Sequence, residues 1–399
     1  MIKMFTGFTE EIDDVGAAVS EVMGRLALGG RLMKSTIGIL HCFSDFVDSG
    51  VVAALCEKLP FDVVGCTTIN VCAPGVISSM GLVVSVLTSD DAVFSAGASE
   101  PVNSGDLNAA LSELYGRVCG SVGTSDPGRV GESESGPQLL MPFIPFMASA
   151  SGDDFIAALD ALSGGIPAFG TLPISDETNF KSCYTIFNGE CYADSLVLAA
   201  VSGNVEPAFL SASILESPET DVLTPTSIIT EASKNVLVSL NGIPAEDLIV
   251  STGLAQKGGL GNLISLPFVI DLADGTRLIR YCIGSDGNGG AILCGNAPVG
   301  ASVGFTNMGI DEIVKSTGKK VMEAMATAGG RGLLMYSCAA RLWALGASNQ
   351  AETEEISKVI GGRAPYFCAC SGGEIFPQRL TDGKVTNTLQ NASMIICML

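Results

Sequence analysis

Histidine is all but missing from this chain: His41 is the only one in 399 residues. A cysteine hydrolase needs a general base, usually His, and the C-terminal half has none. Basic side chains are scarce as well, 21 against 42 acidic ones, for a net charge of -21. Such a surface repels phosphate backbones and anionic lipid, so neither nucleic acid nor membrane is an expected partner. No apolar run reaches the roughly 20 residues that span a bilayer. The longest, such as LLMPFIPFMA from Leu139, read as core strands. The start, MIKMFTGFTEEIDD, turns acidic before any apolar stretch, so no signal peptide or anchor is readable and a cytoplasmic location is expected. There is no CxxC pair, no GxxxxGK[ST] phosphate loop and no GxSxG elbow, which removes the commonest metal, nucleotide and hydrolase readings.

What is present is apolar and glycine-rich. Hydrophobic residues make up 47% and charged ones 16%, with a mean hydropathy of +0.43, as expected of a globular protein with much buried sheet. The length favours two or three domains. Thirteen cysteines, an odd number scattered through apolar segments, point to reduced, buried thiols. Cys368-Ala369-Cys370 comes nearest to metal spacing, but a structural site wants four ligands and no others are evident.

Apolar runs bounded by Gly and Ser alternate with helical patterns, which reads as βαβ units. Three recur: STIGILHCF through SGVVAALCEKL to DVVGCTTI; PQLLMPFIPF through GDDFIAALDAL to PAFGTLPI; and GLLMYSCAAR through AETEEISKVI to PYFCACSGGEI. Each is followed by hairpin material, with tight turns expected at Asn188-Gly189 and Asp382-Gly383. Between the second and third units lie consecutive antiparallel strands with turns at Asp274-Gly275 and Asp286-Gly287, then a long helix beginning near Met308. SDGNGG from Ser285 lacks the full calcium-loop pattern and reads as a turn. The stretch from Gly123 to Pro137 should be an exposed loop, and the break ESPETDVLTP from Glu216 suggests a domain boundary near residue 213. The expected fold is α/β: two domains, 1–212 and 213–399, of mixed β-sheets with flanking helices, built from repeated βαβ-plus-hairpin units, with a layered α/β sandwich as one way to stack them.

Two motifs at the third unit's strand ends carry the candidate chemistry: Cys338-Ala339-Ala340-Arg341 and Gly372-Gly373-Glu374. A guanidinium and a carboxylate brought to one sheet edge form a clamp for a small zwitterion. Arg341 offers a planar fork for a carboxylate, or else a structural pair with Glu374. Glu374 suits an α-ammonium, or orients Arg341. Gly372 and Gly373 let backbone N–H groups approach a ligand, or form a bulge. Cys338 is a nucleophile if Arg341 favours its thiolate, and otherwise a small core residue. Thr67 and Thr68 are polar contacts at the first unit's strand end or close a turn, and Arg280 reaches the same pocket or alternates outward. His41, at the end of its strand, is a conceivable haem ligand or a locally satisfied core residue.

These motifs resemble the FIST domain family, whose N-terminal and C-terminal halves occur together in bacterial signalling proteins. The C-terminal half is similar through TDVLTPTSIITEASKNVLVSLNGIPAEDLI, LIRYCIGSDGNGGAILCGNAPVGASV, CAAR and GGEI; the N-terminal half through VGCTT and AFGTLPISD. The resemblance implies a FIST N-like domain over 1–212 and a FIST C-like domain over 213–399. It implies a sensory protein for intracellular signalling that binds a small molecule, with amino acids as the suggested ligand. The chain shows no output domain, so a separate partner such as a sensor kinase is implied. Where family members often carry a His before the Asn of the last strand, this chain has Gln390-Asn391, leaving Asn391 as the candidate contact. Some members are haem-binding nitric oxide sensors, which makes His41 the alternative cofactor site. The other alternative is a cysteine-dependent enzyme using Cys338. No cofactor and no catalytic activity are the leading expectation.

Overall fold

The computed structural model describes residues 1–102, 107–120, 136–147, 150–177, 180–214, 226–263, 266–273, 275–307, 309–379 and 383–399. The loop expected from Gly123, all but its last two residues, lies outside them. So do the break from Glu216 to Pro225 and the turn residues Asp274 and Asp382.

Three six-stranded sheets share one plan. A first strand leads through a helix to a central strand, and a further crossover brings a parallel neighbour. A hairpin then leaves the sheet, and a last strand returns between the first and the central one. Sheet I runs Lys3–Thr9, Leu82–Ser89, Ser35–Cys42, Val63–Thr67, and then a hairpin, Thr185–Phe187 with Glu190–Tyr192. Sheet II runs Ala92–Ala98, Val197–Gly203, Pro137–Phe143, Gly170–Thr171, and then Glu374–Arg379 with Val385–Gln390. Sheet III runs Ala208–Ser213, Ser393–Met398, Leu333–Cys338, Tyr366–Ser371, and then Val71–Ala73 with Val76–Ser78. The three βαβ units read in the sequence are these three sheets, each with a parallel pair joined by helical segments, as parallel pairing requires.

The hairpins are exchanged in a ring. The first unit's hairpin extends sheet III (Cys72 opposite Cys368), the second's extends sheet I (Thr185 opposite Cys66) and the third's extends sheet II (Glu374 opposite Thr171). Sheets II and III therefore draw strands from both sides of residue 213. The hairpin turn at Asn188-Gly189 has φ of 52° and 88°, the positive values such a turn demands.

Packing follows the same threefold plan. The inner faces of all three sheets meet in one core that includes Ile39, Val83, Phe143, Phe169, Tyr336 and Phe367. The outer faces are covered by Val15–Leu26 and Val51–Cys56 on sheet I, by Leu107–Cys119 and Gly152–Ser163 on sheet II, and by Ile310–Ala328 and Ala351–Ile360 on sheet III. With both faces covered, the strand Leu82–Ser89 is buried along its whole length, which explains why these strands read as unbroken apolar runs.

One element breaks the symmetry. In the first two units the first strand passes directly to its helix, whereas in the third a fourth sheet intervenes between Ala208–Ser213 and Ile310–Ala328. It is ordered Arg277–Arg280, Phe268–Asp271, Ser302–Phe305, Ser227–Ser233, Val236–Leu240, Ala291–Leu293, Cys282–Ser285, with Ile243–Pro244 on Val236–Leu240. It has its own core around Leu237, Ile249, Phe268 and Leu293.

Candidate functional site

The three units bring their parallel strand ends together at one hub. Thr67 O accepts from Ile174 N at 3.2 Å, Leu172 exchanges backbone hydrogen bonds with Gly372 and Gly373 at 3.0 Å each, and Asn70 O accepts from Cys370 N at 2.9 Å. Gly372 is required by that approach: a Cβ there would lie 2.5 Å from Pro173 O. The N–H of Gly372 donates to Leu172 O and that of Gly373 to Ser371 Oγ at 3.1 Å. These two N–H groups are spent inside the protein, which corrects the expectation that they face a ligand.

Beside the hub, under the inserted sheet, is a small cavity of about 20 Å3. Its wall combines Phe146, Ile174 and Phe180 from the second unit, Cys338–Ala340, Trp343, Ser371, Gly372 and Asn391 from the third, and Tyr281, Ile283 and Cys294 from the insert. None of these is Lys, Arg or His. The cavity is thus bounded by elements far apart in sequence, and the insert that only the third unit carries closes it.

Three buried oxygens here have no hydrogen-bond partner among the described residues: Tyr281 Oη, Asn391 Oδ1 and Glu374 Oε1. Glu374 is fully buried, and its other oxygen, Oε2, accepts from Ser393 Oγ at 2.9 Å. Burial pushes its carboxyl up to about 8, although the hydroxyls of Ser393 and Ser371 and the Cys338 thiol pull the other way. Its charge is felt at Tyr281, Cys338 and Cys294, all on the cavity wall. Asn391 stands at the turn before Ser393–Met398, next to Ala392, whose φ is 58°. A non-glycine residue in that conformation stores strain, and such positions cluster at binding sites.

Arg341 does not pair with Glu374. It lies on the helix Ala339–Leu345, entirely buried, and its partner is Glu352: Glu352 Oε1 accepts from Nη2 at 2.7 Å and from Nε at 3.0 Å. Nη2 also donates to Thr317 Oγ1 at 2.7 Å and Ile313 O at 3.3 Å, and Nη1 to Ala392 O at 3.2 Å and Ala212 O at 3.4 Å. Glu352 is in turn held by Thr317 Oγ1 at 2.6 Å and Ser337 Oγ at 2.7 Å. Every guanidinium donor is therefore engaged by protein, and the fork predicted for a ligand carboxylate is closed. Arg341 instead holds the carbonyl of the strained residue next to Asn391. Glu352 was the residue that sequence reasoning missed. Its helical surroundings, AETEEISKVI, look like a solvated face, and only burial of this one Glu among three singles it out.

The other candidates divide. Cys338 lines the cavity, and burial and the neighbouring Glu374 push its thiol well above the usual range, as for a small core residue and unlike the Arg341-favoured thiolate of the nucleophile alternative. Arg280 is buried behind the wall, where Nη2 binds both Asp153 oxygens at 3.1 and 3.2 Å and Nη1 reaches Ile279 O and Leu389 O. It fastens the insert to the second unit's helix and does not line the cavity. Thr68 Oγ1 donates to Cys370 O at 2.7 Å, and Thr67 Oγ1 accepts from Tyr184 N at 2.9 Å, so both threonines tie strand ends together. His41 points into the central core, against the rings of Phe143, Tyr336 and Phe367. Its nitrogens face Tyr336 Oη at 3.2 Å and Cys66 Sγ at 3.6 Å, and burial holds its pKa down at about 3. Both ring nitrogens face protein groups and the ring is buried in the core, so the strand does not deliver His41 to an open edge. Among the described residues no group of His, Cys, Asp and Glu could hold a metal, and all thirteen cysteines are free.

The FIST N domain family matches residues 36–243 and the FIST C domain family residues 245–377. The chain belongs to the FIST family. FIST domains are sensory domains that bind small ligands in signalling. The two matches meet inside the inserted sheet, beside Ile243–Pro244. No curated protein sequence matches the chain. Among solved structures, cyanuric acid hydrolase from A. caulinodans is 8% identical with a TM-score of 0.36, covering 100% of this chain and 98% of that one. PurLQS from Thermotoga maritima is 9% identical with a TM-score of 0.20, covering 100% and 72%. Likenesses of that strength carry nothing over to this protein. Among the described residues no helix is long and apolar enough to cross a membrane.

Proposed function

We propose that this FIST protein is a cytoplasmic sensor whose ligand occupies the cavity between the hub and the inserted sheet, and that the ligand belongs to the amino acids and the metabolites derived from them. The observation that carries the reading is the set of unpartnered oxygens of Tyr281, Asn391 and Glu374. A buried polar atom left without a partner costs about 1–3 kcal/mol, so two on the wall of one cavity, with Glu374 behind Cys338 and Ser371, call for a reason, and a ligand that donates to the wall atoms supplies one. The space is about 20 Å3, so a ligand enters as the insert shifts outward, and the apolar wall suits a compact hydrocarbon body.

The cavity joins the insert to the third unit, so a ligand that binds one placement of the insert better than another shifts the balance between them. Arg341 reports that shift outward, because it links the Ala392 turn to the helices Ile310–Ala328 and Ala351–Ile360 through Thr317 and Glu352. A separate output partner, such as a sensor kinase, then reads those helices. Calorimetric titration with leucine, isoleucine and valine and with their decarboxylated amines tests the site. Binding to at least one, weakened about tenfold or more by Asn391→Ala through loss of a buried hydrogen bond, is expected. Heat effects absent across the whole set would sink the proposal.

A further inference from the structure

Resting on that cavity as the ligand site, we propose that the inserted sheet is its door, hinged on the third unit and latched to the second by Asp153 and Asp154 at the start of the helix Gly152–Ser163.

Closed, the cavity of about 20 Å3 has room for about one water molecule. Admitting anything larger requires one wall to move, and the insert's two attachments differ in kind. Toward the third unit it is joined by an apolar seam, in which Ile279 and Tyr281 pack with Ile313, Cys338 and Leu345. Toward the second unit, hydrogen bonds converge on one helix end. Both oxygens of Asp153 accept from Arg280 Nη2, at 3.1 and 3.2 Å, and Oδ2 also accepts from Asn296 N at 2.6 Å. Asp154 Oδ1 accepts from Asn296 Nδ2 at 3.2 Å, and its Oδ2 pairs with Lys234 Nζ at 3.2 Å. Ser151 Oγ donates to Asn296 Oδ1 at 2.8 Å, and Arg280 Nη1 donates to Leu389 O at 3.3 Å, on the hairpin that completes the second unit's sheet. Gly295 lets these groups close up: a Cβ there would lie 2.5 Å from Arg280 Nε and 2.6 Å from Asp153 Oδ2.

The kind of contact decides which side parts. Opening the seam would wet apolar surface with nothing in return. A latch group exchanges its partner for water as it leaves, so the net strength of each such bond is small. The side chains of Asp153 and Asp154 are each 22% exposed, so that water is at hand. Latch and cavity are also neighbours in the chain. Arg280 precedes Tyr281, and Cys294 stands just before Gly295 and Asn296, with Tyr281 and Cys294 on the cavity wall. Parting the latch therefore turns that wall about the seam. Space opens between Ile283 of the insert and Phe146 and Phe180 of the second unit, which line the same cavity.

Cys338, 4% exposed on the third unit's wall, reports the opening. The test is iodoacetamide labelling of the full chain followed by peptide mass spectrometry. Cys42 and Cys397, both 0% exposed in other cores, serve as internal references for global unfolding. Labelling of a buried thiol follows the population of the open form. Asp153→Asn weakens the charge pairing and Gly295→Ala wedges the latch apart. In both, Cys338 should label at least about tenfold faster than in the parent, while Cys42 and Cys397 keep their parent rates. An unchanged Cys338 rate in either variant overturns the proposal. So does a rise shared by Cys42 and Cys397, which would mean that the whole fold has loosened. The assay contains no ligand: an inert latch leaves the cavity standing as a ligand site, and titrations without heat leave the door standing.

Discussion

Replacing Arg341 by alanine separates a residue that serves the fold from one that meets a ligand. The side chain is fully buried and donates to Glu352, Thr317 and the carbonyls of Ile313, Ala392 and Ala212. Removing one partner of a buried ion pair typically costs about 3–5 kcal/mol, because the other charge stays behind in a medium that cannot solvate it. The three carbonyls each lose a donor, at about 1 kcal/mol apiece at the low end, though such terms do not add fully. A loss of about 4 kcal/mol or more is expected, a large share of the roughly 5–15 kcal/mol by which domains are stable. Trp343, the only tryptophan, lies two residues away and reports the change in urea titration by fluorescence. Arg341→Met combined with Glu352→Gln should recover at least about 2 kcal/mol relative to the sum of the single changes, since the stranded charge is gone. An Arg341→Ala protein within about 1 kcal/mol of the parent would refute the reasoning, for it would mean that the guanidinium is not bound as described.

Two further perturbations address the buried titrating groups and the crowded strand ends. The folded pKa of His41, about 3, lies below its ordinary 6.5, so stability should fall as pH drops from about 6.5 toward 3. The folded pKa of Glu374, about 8, lies above its ordinary 4.5, so its contribution is full below 4.5 and is lost as pH rises through 8. Thermal unfolding across pH should therefore show a decline from about pH 4.5 up to 8 that Glu374→Gln flattens and a decline from about 6.5 down to 3 that His41→Phe reduces; unchanged limbs in these variants would contradict both assignments. A Cβ at Gly65 would sit 1.8 Å from Leu40 O and one at Gly170 2.0 Å from Pro142 O, so either Gly→Ala change should cost about 3 kcal/mol or more. Gly24, exposed in the helix Val15–Leu26 with nothing within 4 Å, should gain roughly 0.5–1 kcal/mol from the same change, and equal effects at the three sites would refute the packing argument.

Much of the fold was legible because its signals are local. Alternation of buried strands and amphipathic helices located three βαβ units, and the dipeptide Asn188-Gly189 announced its hairpin. The helix beginning near Met308 was foreshadowed by Asp311 and Glu312, which lie in its first turn. What no local signal carries is the partner of a hairpin. Val71–Ala73 and Val76–Ser78 follow directly on Val63–Thr67, yet their ladder is with Tyr366–Ser371 nearly three hundred residues later. The candidate site shows the same limit. Cys338, Gly372 and Asn391, which drew attention as chemistry-bearing residues at strand ends, line the cavity, and Glu374 lies behind Cys338 and Ser371. Tyr281 and Glu352 sit within ordinary strand and helix patterns, and their burial depends on the insert and on the pairing of two helices. Charge alone misled in one case: Arg341 and Glu374 invited pairing by proximity of motif, but a closer carboxylate on the facing helix claimed the guanidinium.

The exchange of hairpins explains why a ligand site arises where it does. Because each unit lends its hairpin to another, each sheet is completed only by a second unit, the ring closes when all three are present, and their strand ends are forced together at one hub. There Thr68 Oγ1 donates to Cys370 O, Ile174 N donates to Thr67 O, and Leu172 exchanges backbone hydrogen bonds with Gly372 and Gly373. Such a hub has little freedom, which suits it to be the fixed wall of a pocket and not the moving part. The inserted sheet is different in kind. It has its own core and lends no strand to the other three sheets. Its ties to the second unit include polar ones, between Arg280 and Asp153, Asn296 and Asp154, and Lys234 and Asp154. A body with a self-contained core and polar attachments can shift as a unit at smaller cost than any strand of the interlocked sheets, because such contacts exchange with water more readily than a packed apolar seam. The cavity lies where the rigid hub meets this body, with Asn391 on one side and Tyr281 on the other. A ligand that satisfies both at once therefore acts on the placement of the insert, and the exchanged hairpins supply the frame against which that placement is set.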